Sequence, residues 1–454
     1  MSTAAVSQAF TPARVASRRR GRPWLGYLVL VALFCVLGPY DLHNRADHED
    51  TQEASVGTLK TIASGQGAAI EEGNIGRRLG VIGLGLFAVT LLWRARRRGE
   101  LVRVPAATRS LPDRLVMVGV VGYLLIAAGS VTWGEEPGLT ARRVFVFLIL
   151  CLTAYALARV WSLADFMVFI IVACGAMLMA SLGLDVVRGA FHPASSEYRL
   201  AGLTHPNSHA IEASAVVIAA VCAMRLEPER RRLYAWVAVV GVVLLLLTRS
   251  RTALVGMVVG IAAVPMLTVR RRQVVFAVLG LVAVVIVATV FLPDMVNDAK
   301  QALLLGRSQQ TADVGTLTGR TDLWEALLLY VRRRPLLGYG FDAFWTPDHI
   351  EAVTVDQGWL VSHAHSTYIE NLLNLGMAGL AAFVLSIVAG IWAAARRVRQ
   401  SAGSAESAFA LTALVWLAAS MVTEAIMPQT HYGSLIGMVV LAWLVVPHAA
   451  PRTN

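Results

Sequence analysis

Three short stretches of this chain set arginine or histidine against apolar residues. "LLLLTRSRTALVG" (244–256) holds Arg249 and Arg251 between two apolar blocks. A guanidinium at a membrane edge can simply snorkel to water. Held in a cavity it needs an anionic partner, and a phosphate suits its planar fork. "TGRTDLWEAL" (318–327) puts Arg320 where helical spacing begins, and a helix N-terminus welcomes an anion. The plainer reading is a solvated arginine beside Asp322 and Glu325. In "VSHAHSTYIENLLNLGMAGL" (361–380), His363 and His365 have the alternate spacing of a metal pair. No third ligand lies within sequence reach, so the metal reading is weak. A neutral histidine at a cavity mouth is better suited to take a proton from a hydroxyl near neutral pH. The basic run "RRRP" (332–335) reads first as a solvated edge.

The elements that must position these residues are membrane helices. Of 454 residues, 56% are hydrophobic and only 15% charged, which a soluble domain does not show. The apolar residues come in long blocks, and at roughly 20 residues per span they give about twelve transmembrane helices. The expected spans are 24–40, 79–93, 114–133, 142–160, 163–183, 208–224, 234–248, 252–269, 273–292, 366–394, 407–424 and 434–448. The first block is expected to be kept, because "RVASRRRGRPW" precedes it and no small-residue cleavage site follows. Cys35, Cys151, Cys174 and Cys222 all fall inside apolar blocks and read as packing residues.

A net charge of +11 would raise nucleic-acid binding in a soluble protein. Here the arginines sort by side of the membrane instead. "ASRRRGR", "RARRRGELVR", "RLEPERRR", "VRRRQ" and "ARRVR" fall in alternate connections, which puts those connections and both termini in the cytoplasm. The expected organisation is therefore a cytoplasmic basic N-terminus (1–23), nine spans over 24–292 with outward loops 41–78 and 184–207, and a large outward loop at 293–365. Three further spans (366–448) and a cytoplasmic tail (449–454) complete it. The 293–365 loop is too long for a mere connection. Leu323, Trp324, Leu327, Leu328 and Val331 predict a helix within it, with Thr318 or Thr321 as cap and Pro335 as stop. This helix is expected to lie along the membrane surface. Gly376 and Gly379 predict a small-residue face for close helix packing, which would aim His365.

"HSTYIENLLNLGMAG" runs His, Ser, nine residues, Gly, two residues, Gly. With "RLAGLTHPNSHA", "TRSRTALVG" and "GRTDLWEALLLYVRRRPLLGYGFDAF", it resembles in order the motifs of the bacterial O-antigen ligase and O-antigen polymerase superfamily. That family also includes exopolysaccharide polymerases and protein O-oligosaccharyltransferases. The likeness covers roughly 199–380. One departure concerns the ligase subgroup's pattern of Arg, three residues, then Leu. After Arg320 the leucine falls one residue early, and Trp324 takes its place.

The resemblance implies an all-α integral membrane protein with about twelve spans and a large helical periplasmic loop between the ninth and tenth, a glycosyltransferase C-like membrane enzyme. It implies a glycosyltransferase of the inner membrane that uses no metal and no cofactor. The donor would be a glycan on undecaprenyl diphosphate, and the acceptor lipid A–core or a second lipid-linked glycan. Ligation in lipopolysaccharide biosynthesis is the first expectation and polymerisation the alternative. By match, Arg251 and Arg320 would stabilise the diphosphate and His365 would act as base, while Arg199, His205, Asn207 and Arg249 are substrate-binding candidates. Glu424 and His431 lie outside near other spans and could orient the site, though a structural role is the first reading of each. A transporter would show ionisable groups near mid-membrane and broken helices in related halves. A scaffold would tolerate loss of Arg251, Arg320 or His365.

Overall fold

The computed structural model describes residues 23–37, 57–58, 60–61, 75–99, 109–193, 195, 198–268, 317–401, 404–427 and 431–446. The expected span 273–292, and the segments at either end of the chain, lie outside them. Among the described residues the elements are helices. They run α1 (Trp24–Leu37), α2 (Ile75–Arg97), α3 (Leu111–Gly129), α4 (Pro137–Val160), α5 (Leu163–Val187), α6 (Pro206–Leu226), α7 (Arg231–Leu247) and α8 (Arg251–Thr268). After the undescribed stretch come α9 (Leu317–Arg333), α10 (Pro347–Gln357), α11 (Thr367–Gln400), α12 (Ala405–Ser420) and α13 (Tyr432–Val445).

Each apolar block becomes a helix because lipid cannot satisfy an open backbone. The ends are set by local chemistry. Ser162 and Asp165 form a capping box on α5, and Pro137 and Pro206 open α4 and α6, where the missing N–H costs nothing. Six of the described helices are long and apolar enough to cross a membrane, and α8, α12 and α13 are shorter and apolar. Leu25, Leu79, Leu86, Leu125, Trp236 and Val255 stand exposed on the bundle's outer faces. α6 sits at the centre, packed on α5, α7 and α12, with an almost continuous run of buried residues from His209 to Ala220. The chain is a multi-pass membrane protein.

Two packing features govern the loop-bearing end. α8 lies close along α12, because a Cβ at Gly256 would stand 2.4 Å from the Ser420 hydroxyl and one at Gly260 2.6 Å from Trp416. α11 is 34 residues long, about 51 Å at 1.5 Å per residue, against a hydrocarbon core of about 30 Å. It breaks at Gly376, whose φ of +63° and ψ of −160° are not helical. The backbone of the 334–340 segment docks into the break. Met377 and Ala378 donate to the carbonyls of Pro335 and Leu336, and Tyr339 and Gly340 donate to those of Leu373 and Asn374. This corrects the expectation for the glycine pair. Gly376 is a chain break that admits another backbone: a Cβ there would lie 2.4 Å from the Leu336 carbonyl carbon.

The loop before α11 folds on its own core. Leu323, Leu327 and Val331 of α9 are buried with Tyr339, Phe344, Trp345, Ile350, Val353, Val361, Ala364 and Leu373. The apolar stripe of α9 therefore turns inward to the loop and is not laid along the membrane, while Leu328 and Leu329 stay exposed on its other side. The helix also starts earlier than expected, so Thr318 and Thr321 lie inside it and neither is the cap. In "RRRP", Arg334 pairs with Glu135 at 3.0 Å, and Arg332 and Arg333 are exposed in the last turn.

Candidate active site

Four segments separated in sequence meet at one end of the bundle: 199–207, 248–251, 363–367 and 421–427, with the start of α9 beside them. Asp185, at the end of α5, anchors the first by accepting from the Tyr198 hydroxyl at 3.0 Å and the Gly202 amide at 3.1 Å. His209, buried in α6 and joined to Glu212 at 2.8 Å, also holds this loop through the Ala201 carbonyl at 2.7 Å. His205 then caps α6, its Nδ1 accepting the Asn207 amide at 3.2 Å.

The tight turn between α7 and α8 carries the next pair of arginines. Leu200 N–H donates to the Leu247 carbonyl and Arg199 Nε to that of Thr248 at 3.0 Å, so the turn is fixed to the first segment. Arg249 sits at φ +53° and donates to the Ser195 carbonyl. Arg251 opens α8, is half-buried, and has no hydrogen-bond or ion-pair partner among the described residues.

Glu424 joins the remaining pieces. One carboxylate oxygen accepts from Arg320 Nη2 and from Asn207 Nδ2, each at 3.0 Å, and Asn207 in turn accepts from Arg199 Nη2 at 2.8 Å. Arg320 Nη1 also donates to the Thr423 carbonyl at 2.6 Å. Glu424 stands in the connection after α12 ends, and burial pushes its carboxyl above the ordinary carboxylate range, against the pull of Arg320 and Arg199. Its backbone carbonyl accepts from the Thr367 amide at 3.2 Å and hydroxyl at 3.0 Å, two residues beyond His365.

His365 adopts φ +49°, uncommon for a residue with a side chain. Its ring lies 4.0 Å from that of His363 and 5.7 Å from that of Trp359, centroid to centroid. Behind it the buried Glu370 accepts the Ala364 amide at 2.6 Å and the Trp345 indole at 3.0 Å. Trp324 of α9 donates its indole N–H to the Ala364 carbonyl at 2.9 Å. A closed circuit results: Arg320 to Glu424, Glu424 to Thr367, back through His365 to Ala364, and across Trp324 to the helix of Arg320.

Arg320, Arg199 and Asn207 are thus joined by direct hydrogen bonds, while His365 reaches them through the backbone. Arg249 faces the 195 region, and His205 serves its own helix end. Glu424, read from the sequence first as structural and second as orienting the site, is the acceptor common to two candidate residues; its signal was an acidic group in the otherwise apolar "SMVTEAIM". Trp324, Thr367 and Glu370 carried no comparable signal, since their partners are distant in sequence. Among the described residues no group of three or more His, Cys, Asp or Glu is placed to hold a metal ion.

The described helices form a multi-pass membrane bundle that gathers arginines and a histidine at one end, beside a folded loop. Residues 236–384 match the family described as O-Antigen ligase. Over 353 residues the chain is 24% identical to the "Exopolysaccharide production protein ExoQ" of Rhizobium meliloti (strain 1021), covering 72% of this chain and 77% of that protein. The chain is thus similar to the O-antigen ligase and polymerase superfamily, whose members are glycan ligases and polymerases acting on lipid-linked glycans.

Proposed function

We propose that this chain is a metal-independent, inverting glycosyltransferase that moves a glycan from undecaprenyl diphosphate to an acceptor hydroxyl at the periplasmic face of the inner membrane. The observation that carries the reading is the circuit linking His365 to Arg320, with Arg251, uncommitted among the described residues, opening α8 after the turn that Arg199 bonds. In the reaction the acceptor oxygen attacks the anomeric carbon from the side opposite the leaving group. His365 takes the hydroxyl proton as the new C–O bond forms. The bond from the anomeric carbon to the phosphate oxygen breaks, its electron pair stays on that oxygen, and undecaprenyl diphosphate departs. Arg251 and Arg320 offset the charge that builds there, a role that pre-placed donors fill well in a site sheltered from water. Arg199 and Asn207 hold Arg320 in register through Glu424, and Arg249 and His205 are donor contacts of second rank.

The acceptor we favour is a second lipid-linked repeat, so that the product is a polysaccharide. The long match to a protein named for exopolysaccharide production supports it, as does Trp324 in the place of the ligase subgroup's leucine. The second reading, ligation to lipid A–core, is supported by the family description matched over 236–384. Purified protein given the lipid-linked glycan alone should lengthen it. Product that forms only after lipid A–core is added would make the protein a ligase. No transfer in either condition by folded protein would remove the enzyme reading. Within the same assay His365→Ala is expected to abolish transfer and His363→Ala to spare most of it; the reverse ranking would reassign the base.

A further inference from the structure

Ala364 lies between the two histidines, and both of its peptide groups are taken. Its N–H donates to the Glu370 carboxylate at 2.6 Å and its carbonyl accepts the Trp324 indole N–H at 2.9 Å. Ala364 is itself fully buried, so neither bond can be exchanged for water without a loss. The residue that follows, His365, is held at φ +49°, a backbone state that a side chain tolerates only when its surroundings impose it. On the other flank the amide and hydroxyl of Thr367 are fixed to the Glu424 carbonyl. The histidine turn is therefore clamped on both sides, and one side of the clamp comes from the helix that carries Arg320.

Trp324 follows Arg320 by one helical turn. Its ring packs against the loop core, and its N–H donates to the Ala364 carbonyl of the histidine turn. A leucine, which stands here in the ligase subgroup's pattern, would supply the apolar bulk and no donor. We propose that Trp324 is a positioning residue: its indole N–H, given to Ala364, ties the Arg320 helix to the histidine turn and sets where the His365 ring points. The inference rests on the assignment of His365 as the group that takes the acceptor proton. Helix and base then move as one body, with the Trp324 bond on one flank of the turn and the Arg320–Glu424–Thr367 links on the other.

The test uses the full chain in lipid nanodiscs, with Trp324→Phe and, as a shape-neutral second variant, benzothienylalanine at position 324. The latter replaces the N–H with sulfur and keeps the bicyclic ring, so the clamp is removed without removing bulk. Diethyl pyrocarbonate modification of His365, read by peptide mass spectrometry across pH 5–8, reports the ring's setting directly. Removing the N–H is expected to change that rate severalfold and to move its pH midpoint. Turnover on lipid-linked glycan extracted from the source cells should fall ~10-fold with KM within about two-fold, inside the ~10²-fold that a misplacement of about 1 Å can cost. Unchanged His365 reactivity and turnover in the benzothienylalanine protein would overturn the proposal, as would a loss of turnover with His365 reactivity unmoved. His365→Ala separates this failure from the larger one. If that variant still transfers, the assignment of the base falls; if it is inactive while loss of the N–H changes nothing, only the role of Trp324 falls.

Discussion

Arg251 and Arg320 are both arginines at the start of a helix, yet their surroundings make them different experiments. Arg251 has no partner to abandon among the described residues, whereas Arg320 neutralises the buried Glu424. Arg251→Ala is expected to lower turnover by about 10²–10³, the cost of removing one transition-state donor, with the unfolding temperature nearly unchanged. Arg320→Ala should lose activity and also about 3–5 kcal/mol of stability, because it leaves a buried carboxylate uncompensated. Equal thermal unfolding of the two variants would show that the Arg320–Glu424 pair is not energetically coupled. Glu424 adds a pH signature. Its carboxyl is raised by burial, so the folded state holds the proton more tightly than the unfolded state. That contribution is fully present below the ordinary carboxylate pKa and is lost as pH rises through the folded value. Stability should therefore decline from mildly acidic pH upward, and Glu424→Gln should flatten this slope; an unaltered slope in the variant would refute it.

At the scale of the element, the break in α11 decides how the site is built. An uninterrupted helix would carry residues 367–375 on in line with the span. The left-handed Gly376 lets the 334–340 backbone enter and fixes the folded loop to the first turn of the span. Gly376→Ala forces a side chain into a positive-φ position and against the Leu336 carbonyl carbon, 2.4 Å away. A cost of at least about 1–3 kcal/mol is expected, visible as a lower unfolding temperature. Activity should fall further than stability, since α9 and the histidine turn share the displaced core. A Gly376→Ala protein with full activity would mean that the loop reaches its place without the break.

At the scale of the whole molecule, the positive-inside rule puts the basic connections and the 317–365 loop on opposite sides of the membrane. Asp356, exposed at the end of α10, and Glu229, exposed in the arginine-rich link between α6 and α7, report the two sides. With the positive-inside rule, cysteine at 356 should react with a membrane-impermeant maleimide added to cells with a permeabilised outer membrane, and cysteine at 229 only after lysis. The native Cys174 and Cys222 are buried and should stay silent. Labelling in the opposite order would invert the topology and move the site to the cytoplasm.

How much of this was legible in the sequence varies with the distance over which each interaction acts. Apolar block length alone gave the position of the described membrane helices to within a few residues, because lipid leaves the backbone one solution per block. Arginine placement suggested sidedness, and residue chemistry marked Arg251, Arg320 and His365 as candidates without reference to neighbours. What the chain could not reveal locally was which charges are committed. Glu424 closes on Arg320 across more than a hundred residues, and Trp324 on Ala364 across forty. Gly376 read as a packing glycine, since nothing nearby says that a loop backbone will enter beside it. The sequence by itself determined an all-helical membrane bundle and the types of its reactive groups, because hydrophobicity and side-chain chemistry are local. Only the tertiary structure decided that, among the described residues, Arg251 keeps its charge unspent while Arg320 and His365 share one hydrogen-bonded circuit, because pairing depends on which distant segments meet.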